Sequence, residues 1–341
     1  MRTHRAAAWV VLGALGLVLT FLPITVGAQG LTKVTVGYSA VDVSYLPLKI
    51  AEEAKLFEKH GLEATFVLVR GGGTMMKAVL AGEVAAAFIG GTPVVLARAA
   101  GGDAKMVFSL GNTLIYQLVA GPHLQGKVAR VEDLRGKRVA ISTRGAESES
   151  VMRLVLQKYK VSPHEVTFLQ LGESGERLAA LKAGTADVTA LPSPQHVRAI
   201  KAGFPVLMDV TKEQIEWLHT GIAMKESWAR QNPRAAEALM KTFVEATVYG
   251  WTNKALAKKV LAKYIKSEDD EVLEQGYRDF LEYQPKDFRP TSAGIQAAIE
   301  ELVEANPKVK GLKPEEIVDL SLLVELERTG FVAEMKRRYG R

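Results

Sequence analysis

Cysteine is absent from the 341-residue chain. Disulfides, thiol nucleophiles and thiolate-held metals are excluded, and so is a lipid joined to an N-terminal cysteine. Metal-type histidine spacing is missing too. His4, His60, His123, His164, His196 and His219 are scattered with no His-x-x-x-His pair, so no metal is expected. No Gly-x-Ser-x-Gly elbow supplies a hydrolase serine. Gly71-Gly72-Gly73 is not followed by the Lys-Ser/Thr of a phosphate loop, and no cofactor is expected. Basic residues are dense only at Lys336, Arg337 and Arg338, a solvated tail, so nucleic-acid binding has no footprint. After the N-terminal segment no apolar run approaches the ~20 residues that cross a bilayer.

That N-terminal segment has three parts. Arg2, His4 and Arg5 form a basic head, residues 6–21 are almost wholly apolar, and Pro23 breaks the run. Val26-Gly27-Ala28 then precedes Gln29 as an A-x-A-like cleavage site. The order reads as a secretory signal cleaved after Ala28. Removing residues 1–28 deletes Arg2 and Arg5, so Lys+Arg falls from 44 to 42 against 38 acids, a net charge of +4. The remaining chain, roughly 310 residues, can bury a self-sufficient core and is expected to divide in two.

A repeat at a shift of 102 positions organises that remainder. Ala64-Thr65-Phe66-Val67 faces Val166-Thr167-Phe168-Leu169, Gly73 faces Gly175, and Ala81-Gly82 faces Ala183-Gly184. Each copy reads strand, helix, strand, helix, strand. In the first copy, Lys33–Gly37 alternates as a strand, and Leu46, Ile50, Ala54 and Phe57 recur at helical spacing. His60-Gly61 ends that helix. Apolar runs separated by helices signify parallel strands buried on both faces. The expected fold class is α/β: two Rossmann-like lobes of mixed, mainly parallel sheet joined by a two-stranded hinge. Crossings are predicted near Tyr116 and Ile222. They assign 31–115 and 220–341 to lobe one, with its C-terminal helices, and 116–219 to lobe two.

Certain segments carry a family resemblance. Val36-Gly37-Tyr38-Ser39, the stretch from Leu46-Pro47 to His60-Gly61-Leu62, Ala81-Gly82-Glu83-Val84-Ala85 and Leu134-Arg135-Gly136-Lys137-Arg138 are its carriers. In that order they resemble the nitrate/sulfonate/taurine-type periplasmic solute-binding proteins. The resemblance implies a type II periplasmic-binding fold and an interlobe cleft for a small organic solute. It further implies a periplasmic monomer, an ABC permease as partner and no enzymatic activity. Two other readings share the fold. One is a ligand sensor for a membrane receptor. The other is an enzyme of the thiamine-pyrimidine synthase branch, which the absent cysteines and the export signal oppose.

In open α/β sheets a ligand sits beyond the carboxyl ends of the strands. On that rule the first copy offers Ser39, Ser44 and Tyr45, then Gly73 and Thr74, then Gly91 and Thr92, with Asn112 before the first crossing. The second copy offers Arg144, Gly145, Glu147 and Ser148, then Pro192 and Ser193. The tri-glycine reads equally as a tight turn or an anion cradle. Arg144 suits a carboxylate or sulfonate, whereas Glu147 suits an amine, so the sign of the ligand's charge stays open. His219 is read as structural.

Overall fold

The computed structural model describes residues 30–340, so the expected signal and its cleavage site lie outside the described residues. Ten strands form two five-stranded sheets. The strands are β1 (Thr32–Tyr38), β2 (Leu62–Leu68), β3 (Ala86–Gly90), β4 (Ala104–Thr113), β5 (Tyr116–Ala120), β6 (Arg138–Ile141), β7 (Thr167–Gln170), β8 (Val188–Pro192), β9 (Val206–Asp209) and β10 (Glu216–Lys225). Sheet one runs β2-β1-β3-β10-β4 and sheet two runs β7-β6-β8-β5-β9. In each, three parallel strands are followed by an antiparallel one, β10 or β5.

The first seven helices are α1 (Leu46–Glu53), α2 (Leu56–Lys59), α3 (Gly72–Ala81), α4 (Gly91–Ala99), α5 (Glu147–Lys158), α6 (Ser174–Ala183) and α7 (Gln195–Lys201). The repeat is visible in them: α3 and α6 have ends 102 positions apart, and so do β3 and β8. Gly82 and Gly184 close the paired helices in the left-handed region, at φ 80° and 72°. The strands β3 and β8 are buried along their whole length, which is why neither alternates. The predicted helix through Phe57 is two helices, because Lys55 turns left-handed at φ 53°.

The chain passes between the sheets twice, from Thr113 to Tyr116 and from Asp209 to Glu216. The two passages touch: the Leu114 N–H donates to the Ile215 carbonyl at 3.4 Å. All of β10 pairs within sheet one from Glu216 onward.

The remaining helices are α8 (Glu226–Gln231), α9 (Pro233–Thr252), α10 (Lys254–Ile265), α11 (Asp270–Tyr283), α12 (Ser292–Ala305), α13 (Pro314–Ile317), α14 (Ser321–Arg328) and α15 (Phe331–Arg338). Long α9 buries Leu239, Phe243 and Val244 against Phe57 and Phe88 of sheet one's layer. The second sheet's outer layer is thinner, built on Leu181, Leu191, Ala199 and Phe204. Among the described residues no helix is long and apolar enough to cross a membrane.

Candidate ligand-binding site

The carboxyl ends of the parallel strands in both sheets point at one another, and a cavity of about 50 Å³ lies between them. The first half supplies Ser39 after β1, Asp42, Tyr45, Gly72 at the start of α3 and Gly90 at the end of β3. The second half supplies Tyr116 from β5, Ser142 after β6, Glu147 and Ser148 from α5, and Arg177 from α6. Strand β10 of sheet one adds Thr220.

Glu147 is the centre of the polar network. It is 7% exposed and its Oε2 accepts from the Tyr116 hydroxyl at 3.0 Å. The same oxygen lies 2.8 Å from His219 Nδ1, on the opposite sheet. Burial raises the Glu147 carboxyl above its ordinary range, against the pull of His219 and Tyr116. Burial is also the largest influence on His219 and works against its charge, but Glu147 and Asp42 together carry its pKa upward. The two side chains meet across the gap between the sheets. The second oxygen, Oε1, has no hydrogen-bond partner among the described residues.

Arg177 is the opposite pole. It is 4% exposed, and its Nη1 donates to the Thr189 hydroxyl at 2.9 Å and the Ala190 carbonyl at 2.6 Å. Both acceptors are neutral. Its Nε has no partner, and among the described residues no carboxylate forms an ion pair with it. Burial lowers its pKa to about 10. Asp42 is buried as well, and burial raises its carboxyl even though Oδ1 accepts the Ser44 N–H at 2.7 Å. Ser39 and Tyr45 join at 2.9 Å, and Ser148 takes the Ser142 N–H at 2.9 Å.

Of the residues expected from sequence, Ser39, Tyr45, Glu147, Ser148 and Pro192 line the cavity. The others lie around it. Arg144 turns away: its side chain is 51% exposed, pairs with Glu149 at 2.6 Å and covers the Phe168 ring. The Gly145 N–H donates to the same Glu149. Gly73 meets the second half of the chain rather than an open space, since a Cβ there would lie 2.8 Å from the Arg144 carbonyl. Gly91 fits under the Leu218 carbonyl, at 2.2 Å from a Cβ. Thr74 is exposed, while Ser44 is buried as the capping partner of Asp42. Thr92 donates to Ser150, Asn112 donates to the Arg289 carbonyl, and Ser193 donates to Asp279.

Arg177, Asp42 and His219 escaped the strand-end rule. Arg177 was nevertheless marked in the sequence. The 102-residue shift places it opposite Met75, a charged residue against a fully buried apolar one. Gly90 stands at the end of β3, where the rule expects the site, and Glu147 Cβ would lie 3.1 Å from any Cβ there. Asp42 and His219 had no local signal; the fold alone brings both beside Glu147.

The NMT1-like family model matches residues 27–266. The chain belongs to the NMT1-like family. A protein described as a binding protein in Brucella abortus is 25% identical over 257 residues, covering 74% of this chain and 77% of that one. Among solved structures, the alkanesulfonate-binding protein SsuA from Xanthomonas axonopodis pv. citri superposes with a TM-score of 0.70 at 21% identity. The superposition covers 86% of this chain and 99% of SsuA. The periplasmic nitrate-binding protein NrtA from Synechocystis PCC 6803 gives 0.71 at 14% identity, over 89% and 91%. At these identities the likeness is one of fold. With two mixed sheets facing across a cleft, the chain has the type II periplasmic-binding architecture.

Proposed function

We propose that the protein is the periplasmic solute-binding component of an ABC importer. One observation carries this reading. A cavity is walled by polar side chains from both sheets, and three of them have atoms without a hydrogen-bond partner among the described residues, the acceptors Glu147 Oε1 and Glu173 Oε1 and the donor Arg177 Nε. An unpartnered buried polar atom costs about 1–3 kcal/mol, so such a cavity is suited to a ligand that supplies the missing partners. The fold and the family agree with this reading, as does the binding-protein description of the Brucella relative.

The mechanism is closure. The segments 114–115 and 210–215 act as the hinge between two lobes, which turn about them. In the closed form Gly73 accepts the Arg144 carbonyl edge, Thr92 meets Ser150 at 3.3 Å, and Glu147 meets His219. A solute that touches both lobes stabilises this form, and the permease reads the closed shape. The chain acts as a binder and not as an enzyme.

The test is thermal unfolding of the purified exported protein against nitrate, alkanesulfonates, carboxylates, amines, amino acids and pyrimidines. A ligand present at 100 times its Kd adds about 2.7 kcal/mol, which moves the midpoint by several degrees. Small-angle scattering with that ligand should show a smaller radius of gyration. A flat response to the whole panel would refute the reading.

A further inference from the structure

The chemistry of the cavity narrows the class of solute, on the premise that the cavity is the solute site. Its two poles are separate. Glu147 is held by Tyr116 and His219, whereas Arg177 is held by Thr189 and Ala190. No direct ion pair joins them among the described residues. Each keeps one buried polar atom without a partner, an acceptor on Glu147 and a donor on Arg177.

Three kinds of solute fit poorly. A simple anion would satisfy Arg177 but would be repelled by Glu147, Asp42 and Glu173, which line the same small space. A simple amine would satisfy Glu147 while leaving the buried Arg177 Nε without a hydrogen-bond partner. An apolar solute would leave both atoms unsatisfied. Glu173 lines the same cavity and favours the charge of Arg177 from a distance, but among the described residues its carboxylate forms its ion pair with Arg70, at 3.4 Å, and none with Arg177.

We infer that the solute is a small bipolar molecule of the amino-acid type, its ammonium group on Glu147 Oε1 and its acid group on Arg177 Nε. A cavity of about 50 Å³ limits it to a few non-hydrogen atoms. Arg177 is then the residue that selects the acid end, a task the exposed and already paired Arg144 does not perform.

The test is calorimetric titration of the purified exported protein with matched probes: glycine and 3-aminopropanoate as bipolar solutes, propanoate as acid alone, and propylamine as amine alone. The bipolar probes should bind on the order of 100-fold more tightly than either single-pole probe, the size of penalty that leaving a buried group unpaired imposes. Arg177→Met should reduce that preference over propylamine to within about threefold, and Glu147→Gln should do the same against propanoate. Far-UV circular dichroism and unfolding without ligand show that each variant is folded. Equal binding of propanoate or propylamine by the native protein would overturn the inference. So would an unchanged preference in folded Arg177→Met, or failure of both bipolar probes while another solute of the wider panel binds. Failure of every solute in that panel refutes instead the binding-protein reading on which the inference rests.

Discussion

The two copies of the repeat share their backbone and differ in what they place at the cleft. In the first copy the strand ends carry Gly71, Gly72 and Gly90, and the first turn of α3 buries Met75. In the second copy the positions 102 residues on are Glu173, Ser174, Pro192 and Arg177. One copy therefore offers room and the other offers charge. Met75 and Arg177 stand at the same place on equivalent helices, yet one is an ordinary core residue and the other is a buried cation with neutral partners only. An equivalent position in a repeated fold is thus not an equivalent environment. What surrounds the slot decides whether a charge can live there, and only the second copy has Thr189 Oγ1 and the Ala190 carbonyl to receive one.

Exchanging the two residues breaks this comparison most sharply. Met75→Arg places a charge in a slot with 0% exposure, beside Gly37. Urea unfolding should show a loss of about 3–5 kcal/mol, the cost of an unpaired buried charge. A loss below about 1 kcal/mol would mean that the first copy tolerates charge as well as the second.

The contact of the C-terminal helices with the second copy comes next. Glu301 of α12 is 7% exposed, lies beside Ser150 of α5, and burial lifts its carboxyl to about 7 from 4.5. The folded protein thus keeps a proton that the unfolded chain releases at lower pH. This contribution to stability is complete below pH 4.5 and is lost as pH rises to 7. Glu301→Gln should therefore match the native protein at low pH and exceed it by about 2–3 kcal/mol at pH 8. Parallel pH profiles for the two proteins would show that Glu301 does not hold that proton.

The reverse exchange has a smaller effect of opposite sign. Arg177→Met removes a buried cation at the cost of two hydrogen bonds, and should raise ligand-free stability by about 1–2 kcal/mol. Equal or lower stability would mean that the guanidinium serves the fold and not the site. The smallest effect belongs to Arg144→Ala. Its side chain is half exposed and its partner Glu149 also holds Arg153, so stability should change by less than about 1 kcal/mol. Solute affinity should stay within about threefold. A larger loss would return Arg144 to the cleft.

Much of the fold was legible because its signals are local. Buried strands write continuous apolar runs, and glycine stops write Gly82 and Gly184. The 102-residue spacing survives because α3 and α6 have the same length and the same left-handed glycine C-cap. Less legible were β4 and β9, whose ladder partners lie distant in sequence. The site was half legible. Ser39, Tyr45, Glu147, Ser148 and Pro192 follow from the strand-end rule, which depends only on topology. Arg144 misled because the same rule does not say where a long side chain turns, and Glu149 lies five residues away to take it.

The sequence by itself determined the class of fold, the duplicated plan and the loops from which a ligand site is built. Periodicity, caps and spacing are properties of neighbouring residues, and they are written in order along the chain. Only the tertiary structure decided that Asp42, Glu147, His219 and Arg177 share one buried neighbourhood, and which of their atoms lack partners. Burial and pairing depend on residues tens to hundreds of positions apart. The electrostatic character of the site is a property of the assembled fold, and no single segment contains it.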